Sequence, residues 1–295
     1  IKRTKVDTGD GDSIRVYYNP EDNMPPAPSV SVIKGLRKDP DKEEGLQGWR
    51  DRFDGESQWG RPWWNDQRTF KAYRGTLVHF SILNELGDAG GDTYFHEVGE
   101  KDWGHEEYYA EYALKKWSRM APSANTDEVP YTPRNNQYDG EHAWDKAMRG
   151  VKWAARNFYE ELIAEGRLDP ANVVAVEEFV YDEQYGYGGQ FDLLYETPDG
   201  KIVLSDVKTS SAVRFDHKLQ SAAYKRAIET RSGLPNHVDE CEIVRLHPDK
   251  EVVEISRSPD WDRTLDGLSH QFLGLSDKAQ VVYSNVLDNA RDELM

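Results

Sequence analysis

The stretch that decides the fold runs from Val173 to Tyr224, VVAVEEFVYDEQYGYGGQFDLLYETPDGKIVLSDVKTSSAVRFDHKLQSAAY. Its short β-branched and aromatic runs predict three strands, each bringing a carboxylate: Glu177, then Asp192, then Asp206 with Lys208 two residues on. An amphipathic helix follows and presents Gln220 and Tyr224. Side chains alternate along a strand, so Asp206 and Lys208 share the face of Ile202 and Leu204. That face is apolar at its start and charged at its end, which places both charges at the mouth of a cleft.

Carboxylates on neighbouring strands with a lysine beside the last suit magnesium chemistry. Mg²⁺ takes few protein carboxylates and fills its other positions with water and phosphate oxygens. Such an ion polarises a phosphoryl oxygen and lowers the pKa of an attacking water. Lys208 would orient that water or stabilise charge on the phosphate. The Val207 carbonyl, between the two charges, offers a third oxygen ligand. Thr209, Ser210 and Ser211 suit a phosphate contact, and Gly188-Gly189 would let a nucleic-acid backbone approach Asp192 closely. Asp-x-Lys by itself is cheap, for Asp216-His217-Lys218 repeats it. That copy falls in a predicted helix, where i and i+2 do not share a face. On the residues alone, a surface hairpin with incidental charges remains open for 192–208.

Upstream, Ser13–Tyr18 predicts a strand, followed by a proline-rich turn through Pro25, Pro26 and Pro28. In Pro28-Ser29-Val30-Ser31-Val32-Ile33-Lys34 a serine can cap a short helix. Helices are expected over 41–53, with Leu46, Trp49 and Phe53 in register, and over 66–86, with Phe70, Tyr73, Leu77, Phe80 and Leu83 on one face. The intervening GRPWW, 60–64, reads as a loop. His79 lies at the edge of that apolar face, the ordinary place for a core histidine. Residues 140–166 predict a helix with Trp144, Met148, Val151, Ala155, Phe158, Tyr159 and Leu162 as its buried stripe and Gly166 ending it. Downstream, 241–246 and 251–255 read as a hairpin, and 260–294 closes as helix with Val281, Val282 and Val286 on its apolar side.

The chain has 295 residues and a net charge of −17, which should repel nucleic acid at long range. The acid concentrates at 87–139: between Glu85 and Glu128 stand eleven acidic and four basic residues. His96-Glu97 and His105-Glu106-Glu107 there lack a helical two-histidine pattern, and the segment reads as a solvated face or lid with a helix at 106–120 and an exposed connection at 122–138. Near the motifs the balance reverses, with Arg68, Lys71 and Arg74 against Asp66, and Lys208, Arg214, Lys218, Lys225 and Arg226 against Asp206 and Asp216. One cysteine, Cys241, excludes a disulfide framework. No run approaches a membrane span and residues 1–20 hold no signal core, so an intracellular, cytoplasmic protein is expected, with the acidity that a salt-rich host or a virus would explain.

Taken in order, these motifs resemble the PD-(D/E)XK nucleases of the RecB-like exonuclease group, especially phage exonucleases and the mitochondrial genome maintenance exonuclease. The matching residues are Arg74-Gly75-Thr76-Leu77-Val78-His79, Val176-Glu177, Gly186-Tyr187-Gly188-Gly189-Gln190-Phe191-Asp192, Asp206 to Ser210, and Gln220 to Tyr224. The likeness spans 28–80 and 173–230. It implies a restriction-endonuclease-like mixed α/β sheet from 173–208 and 241–256, flanked by helices, with a helical N-terminal region arching over the site. Residues 1–65 would be an extension packing on the core, and 66–295 the nuclease core carrying the insertion at 87–139.

The resemblance makes His79, Asp192 and Asp206 metal ligands, with the Val207 carbonyl, and Lys208 the catalytic lysine. Glu177 is preferred to Glu178 because its distance to the Gly-Tyr-x-Gly turn fits. Gln220 would orient the scissile phosphate or the lysine. Arg74, Thr76, Tyr187, Thr209, Ser210 and Tyr224 become substrate contacts, and Tyr73, Trp63 and Tyr187 candidate base-stacking residues. The expected activity is Mg²⁺- or Mn²⁺-dependent hydrolysis of DNA, as an exonuclease on single strands working beside replication, recombination or repair proteins. The four cysteines of the iron–sulfur relatives are missing, so no cluster is expected. The rivals are a structure-specific endonuclease and a non-catalytic DNA-binding module of the same fold.

Overall fold

A computed structural model describes residues 1–9, 11–37, 40–52, 63–86, 143–231, 233–248 and 250–295. The acidic insertion at 87–139, with its expected helix and histidines, lies outside the described residues, as do the side chains of Trp63, Tyr73, Phe70, Phe80, Trp144 and Met148.

The central element is a five-stranded mixed sheet. It joins β4 (Val173–Val176), β7 (Leu193–Glu196), β8 (Ile202–Lys208), β9 (Glu240–His247) and β10 (Val252–Arg257) in the order β10-β9-β8-β7-β4. Only β8 and β9 are parallel, with Asp206 opposite Ile243 and Lys208 opposite Arg245. A parallel pair needs a crossover connection. Helix α5 (Phe215–Thr230) supplies it, following β8 directly.

β8 and β9 are buried on both faces, and helices cover each side. One face packs Leu204 and Ile243 against Leu219 and Ala223 of α5, Leu268 and Phe272 of α6 (Leu265–Val282), and Val30 and Ile33 of the short α1 (Val30–Gly35). The other packs Val203, Val207 and Val244 against Leu77 and Val78 of α3 (Trp63–Leu86) and Val151 and Phe158 of α4 (Ala143–Phe158). The result is a helix–sheet–helix sandwich. Ser29 caps α1 as expected, its hydroxyl accepting the Val32 N–H.

Several expectations are corrected. The proline-rich 24–28 is not a turn but strand β3 (Met24–Pro28), an edge position where prolines cost no ladder hydrogen bond. It pairs with β2 (Ser13–Asn19), which also pairs with an unforeseen β1 (Lys2–Asp7). The central stretch holds five strands rather than three, since β5 (Phe179–Asp182) and β6 (Tyr187–Gln190) form a separate hairpin. Trp63 and Trp64 begin α3 instead of closing a loop. Helix α4 continues as a π-helical turn, Tyr159–Ala164, and Gly166 at φ +72° ends it, but Tyr159 is exposed. The C-terminal helix breaks at Tyr283 into α6 and α7 (Ser284–Leu294), leaving Val281 and Val282 in solvent.

Candidate active site

The chain turns sharply between β4 and β5, and Glu177 sits in that turn rather than on a strand. Its φ of +50° is a left-handed conformation that non-glycine residues seldom adopt. Three hydrogen bonds hold it: the Glu177 N–H donates to Asp192 O at 2.9 Å, Gln190 Nε2 donates to Glu177 O at 2.8 Å, and the Phe191 N–H donates to Glu178 O at 3.1 Å. The adjacent Glu178 pairs with Arg231 at 2.7 Å.

Three donors converge here from distant parts of the chain. His79 Nδ1 on α3 lies 3.7 Å from Asp192 Oδ2 and 4.0 Å from Glu177 Oε1. His79, Glu177 and Asp192 together form the described cluster that could hold a cation. Asp192 Oδ2 accepts the Val207 N–H at 2.8 Å, which ties the β6–β7 junction to the end of β8. In an extended strand a residue's N–H and C=O point to one side, so the Val207 carbonyl also faces Asp192.

Asp206 joins this cluster through Lys208. Lys208 Nζ donates to Asp206 Oδ1 at 2.6 Å and stands 3.9 Å from Asp192 Oδ2. Gln220 Nε2 donates to the same Oδ1 at 3.3 Å. Asp206 Oδ2 is buried with no hydrogen-bond partner. A buried, unsatisfied carboxylate oxygen costs energy unless something coordinates it. The imidazole and two carboxylates of His79, Glu177 and Asp192 fit a divalent ion bound to oxygen and nitrogen, with Asp206 outside that group and tied to it through Lys208. Burial drives the Asp206 carboxyl up despite Lys208. For His79 burial works downward, yet Asp192 and Glu177 outweigh it and the pKa is raised. Lys208 follows the same pattern, with Asp206 and Asp192 overcoming its burial and keeping the ammonium charged.

A cavity of about 970 Å³ opens beside Lys208 and His79. Arg37, Arg68, Lys71, Arg74, Lys208 and Arg214 line it against one acidic residue, Asp216, among the described residues. The acidic net charge is therefore reversed at the site. Thr209 and Ser210 line the same cavity, whereas Thr76 is exposed and donates to Ala72 O. Gly75 matters for closeness, since a Cβ there would meet Thr209 Oγ1 at 2.8 Å. Three cations counted near the motifs are engaged elsewhere: Lys218 with Asp262, Lys225 with Glu229 and Arg226 with Asp182.

Two expected contacts are corrected. Tyr187 is fully buried, packed edge-on against Phe272 with its hydroxyl donating to Ala223 O, so it cannot stack on a base. Tyr224 is buried against the hairpin, and a Cβ on Gly189 would come within 2.3 Å of its ring. Gly188 is likewise occupied by Tyr17. The glycine pair thus admits tyrosines rather than a nucleic-acid backbone. Sequence reasoning missed Gln190, hidden as an unassigned position of the Gly-Tyr-x-Gly-x-x-Asp turn. It also missed Lys34, whose signal was a cation at the end of a capped helix with a buried isoleucine before it.

The PD-(D/E)XK nuclease superfamily matches residues 52–291, most of the chain. The chain belongs to this superfamily. These nucleases use divalent metals, which agrees with the donor set just described. No curated protein matches the nuclease in sequence. Among solved structures, a candidate exonuclease from Eubacterium rectale is 15% identical over 78% of this chain and 88% of its own, at a TM-score of 0.36. The SSO0001 structure is 16% identical over 59% of this chain and 86% of its own, at 0.31. Both likenesses are too distant to bear on mechanism.

Proposed function

We propose that this nuclease is a Mg²⁺- or Mn²⁺-dependent exonuclease that degrades single-stranded DNA from its ends, in replication, recombination or repair. The supporting observation is the six-cation cavity bordered by Lys208 and by His79 of the His79–Glu177–Asp192 cluster, in an otherwise acidic protein. A cavity of that size holds a few nucleotides of one strand, and its cations neutralise their phosphates.

His79, Asp192 and Asp206 would hold the metal, with Glu177 and the Val207 carbonyl beside it. When bound, the ion polarises the phosphoryl oxygen and acidifies the attacking water. Lys208 faces the reacting phosphate and stabilises its developing negative charge. The water oxygen loses a proton to solvent as it bonds to phosphorus, the bond from phosphorus to the leaving sugar oxygen breaks, and that oxygen takes up a proton from solvent. Arg74, Thr209 and Ser210 grip neighbouring phosphates from the cavity wall.

The test is digestion of one single-stranded oligonucleotide sequence in linear and circular form with each metal. Degradation of the linear form alone supports the exonuclease. Cutting of the circle assigns a structure-specific endonuclease instead, and binding without cutting assigns a non-catalytic module.

A further inference from the structure

The first 51 residues precede the region that matches the superfamily, yet α1 lies in the main core. Val30 and Ile33 are fully buried against α5 and α6, and Ser29 bridges to Gly188 of the β5–β6 hairpin. This anchoring fixes the direction of the next side chain, Lys34. Its ammonium donates to Gln220 Oε1. An amide that accepts at its oxygen presents its nitrogen on the other side, and Gln220 Nε2 there donates to Asp206 Oδ1. Two hydrogen bonds through one amide therefore connect an N-terminal cation to a site carboxylate.

Asp206 Oδ1 is then held from two directions, by Lys208 and by Gln220, which leaves Oδ2 as the oxygen without a partner. The second anchor of α1 reinforces the register: Arg37 pairs with Asp216 at 2.9 Å and lies over the Phe215 ring at 4.5 Å, both on the first turn of α5. The same device recurs in the N-terminal sheet. Arg3 donates to Gln190 Oε1 at 3.1 Å, and Gln190 Nε2 donates to the Glu177 carbonyl. Twice, an N-terminal cation orients a glutamine that holds an acidic residue of the site.

We propose that Lys34 is a positioning residue of the nuclease centre, fixing the Gln220 amide so that Asp206 presents its free oxygen to the metal. The inference rests on the metal-dependent nuclease reading above. Partners of metal ligands commonly carry 10–100-fold of affinity or activity. Lysine donates where methionine of similar length cannot, and arginine retains a donor.

The experiment measures Mn²⁺ affinity by calorimetry and steady-state DNA hydrolysis for the full chain, Lys34→Met, Lys34→Arg, Gln220→Met and the Lys34→Met/Gln220→Met double variant. Asp206→Ala serves as the control for the nuclease reading: if it hydrolyses DNA like the unaltered chain, that reading fails independently of Lys34. Expected for Lys34→Met are a roughly 10-fold loss of Mn²⁺ affinity and of kcat with KM little changed, and recovery of most of both in Lys34→Arg. The double variant should be no worse than Gln220→Met. Additive losses overturn the proposal, as does a change in KM alone with Mn²⁺ affinity intact, which would make Lys34 a direct phosphate contact. If Lys34→Met does not fold, Lys34→Gln, with a donor on a shorter stem, replaces it in the same cycle and is judged by the same additivity.

Discussion

Asp-x-Lys occurs at 206–208 and again at 216–218, and these two copies have opposite fates. Asp206 and Lys208 lie on β8, where alternate residues share a face, and they meet at 2.6 Å beside the His79–Glu177–Asp192 cluster. Asp216 and Lys218 lie on α5, where a separation of two turns the side chains well apart. Asp216 goes to Arg37 and Lys218 to Asp262. Identical spacing is a site or an accident depending on the backbone that carries it. The helix nonetheless contributes to the strand's copy, through Gln220 on its next turn.

Four changes would break or sharpen that contrast, the largest effect first. Asp206→Ala should lower DNA hydrolysis by about 1000-fold while the fold is retained, read by end-labelled digestion and circular dichroism. A smaller effect concerns the start of α5. His217 Nδ1 accepts the Arg214 backbone N–H, and burial, aided by Lys208, lowers its pKa to about 4. The unfolded chain binds the proton below its ordinary 6.5. Stability from the neutral ring is therefore present above pH 6.5 and lost as pH falls toward 4, by up to about 3 kcal/mol. Urea titrations across that window should show the slope, and His217→Gln should flatten it.

Third, Gly189→Ala forces Tyr224 and hence α5 from its seat, costing about 2 kcal/mol in denaturant unfolding. Last, Lys218→Ala should leave hydrolysis within about twofold of the unaltered chain, because its partner is an exposed surface carboxylate. A large loss there would erase the distinction between the two copies.

Much of the site's grouping is legible in the sequence. The alternation through β8 placed Asp206 and Lys208 together, and the spacing to the glycine turn selected Glu177, which does stand in the cluster while Glu178 turns to Arg231. The ordered motifs brought in His79, which no local pattern could distinguish from a core histidine. What stayed hidden was tertiary. Glu177 was read as a strand residue because a positive φ held by Gln190 leaves no mark in composition. Gly188 and Gly189 looked like room for a ligand, but glycine signals only that something comes close, and here it is Tyr17 and Tyr224. Prolines at 25, 26 and 28 signalled a turn because edge strands and turns tolerate them alike.

The long reach of Lys34 to Gln220, across 186 residues, has a consequence for how the protein comes into being. Chains emerge from the ribosome N-terminus first, and contacts far apart in sequence form late. A nascent chain that has reached only α4 carries Lys34 and His79 but none of Glu177, Asp192, Asp206 or Lys208. Even after β8 appears, Asp206 is braced by Lys208 alone until α5 has been made and docked. On the proposed reading, the complete bracing of Asp206 therefore comes only after α5 has been made.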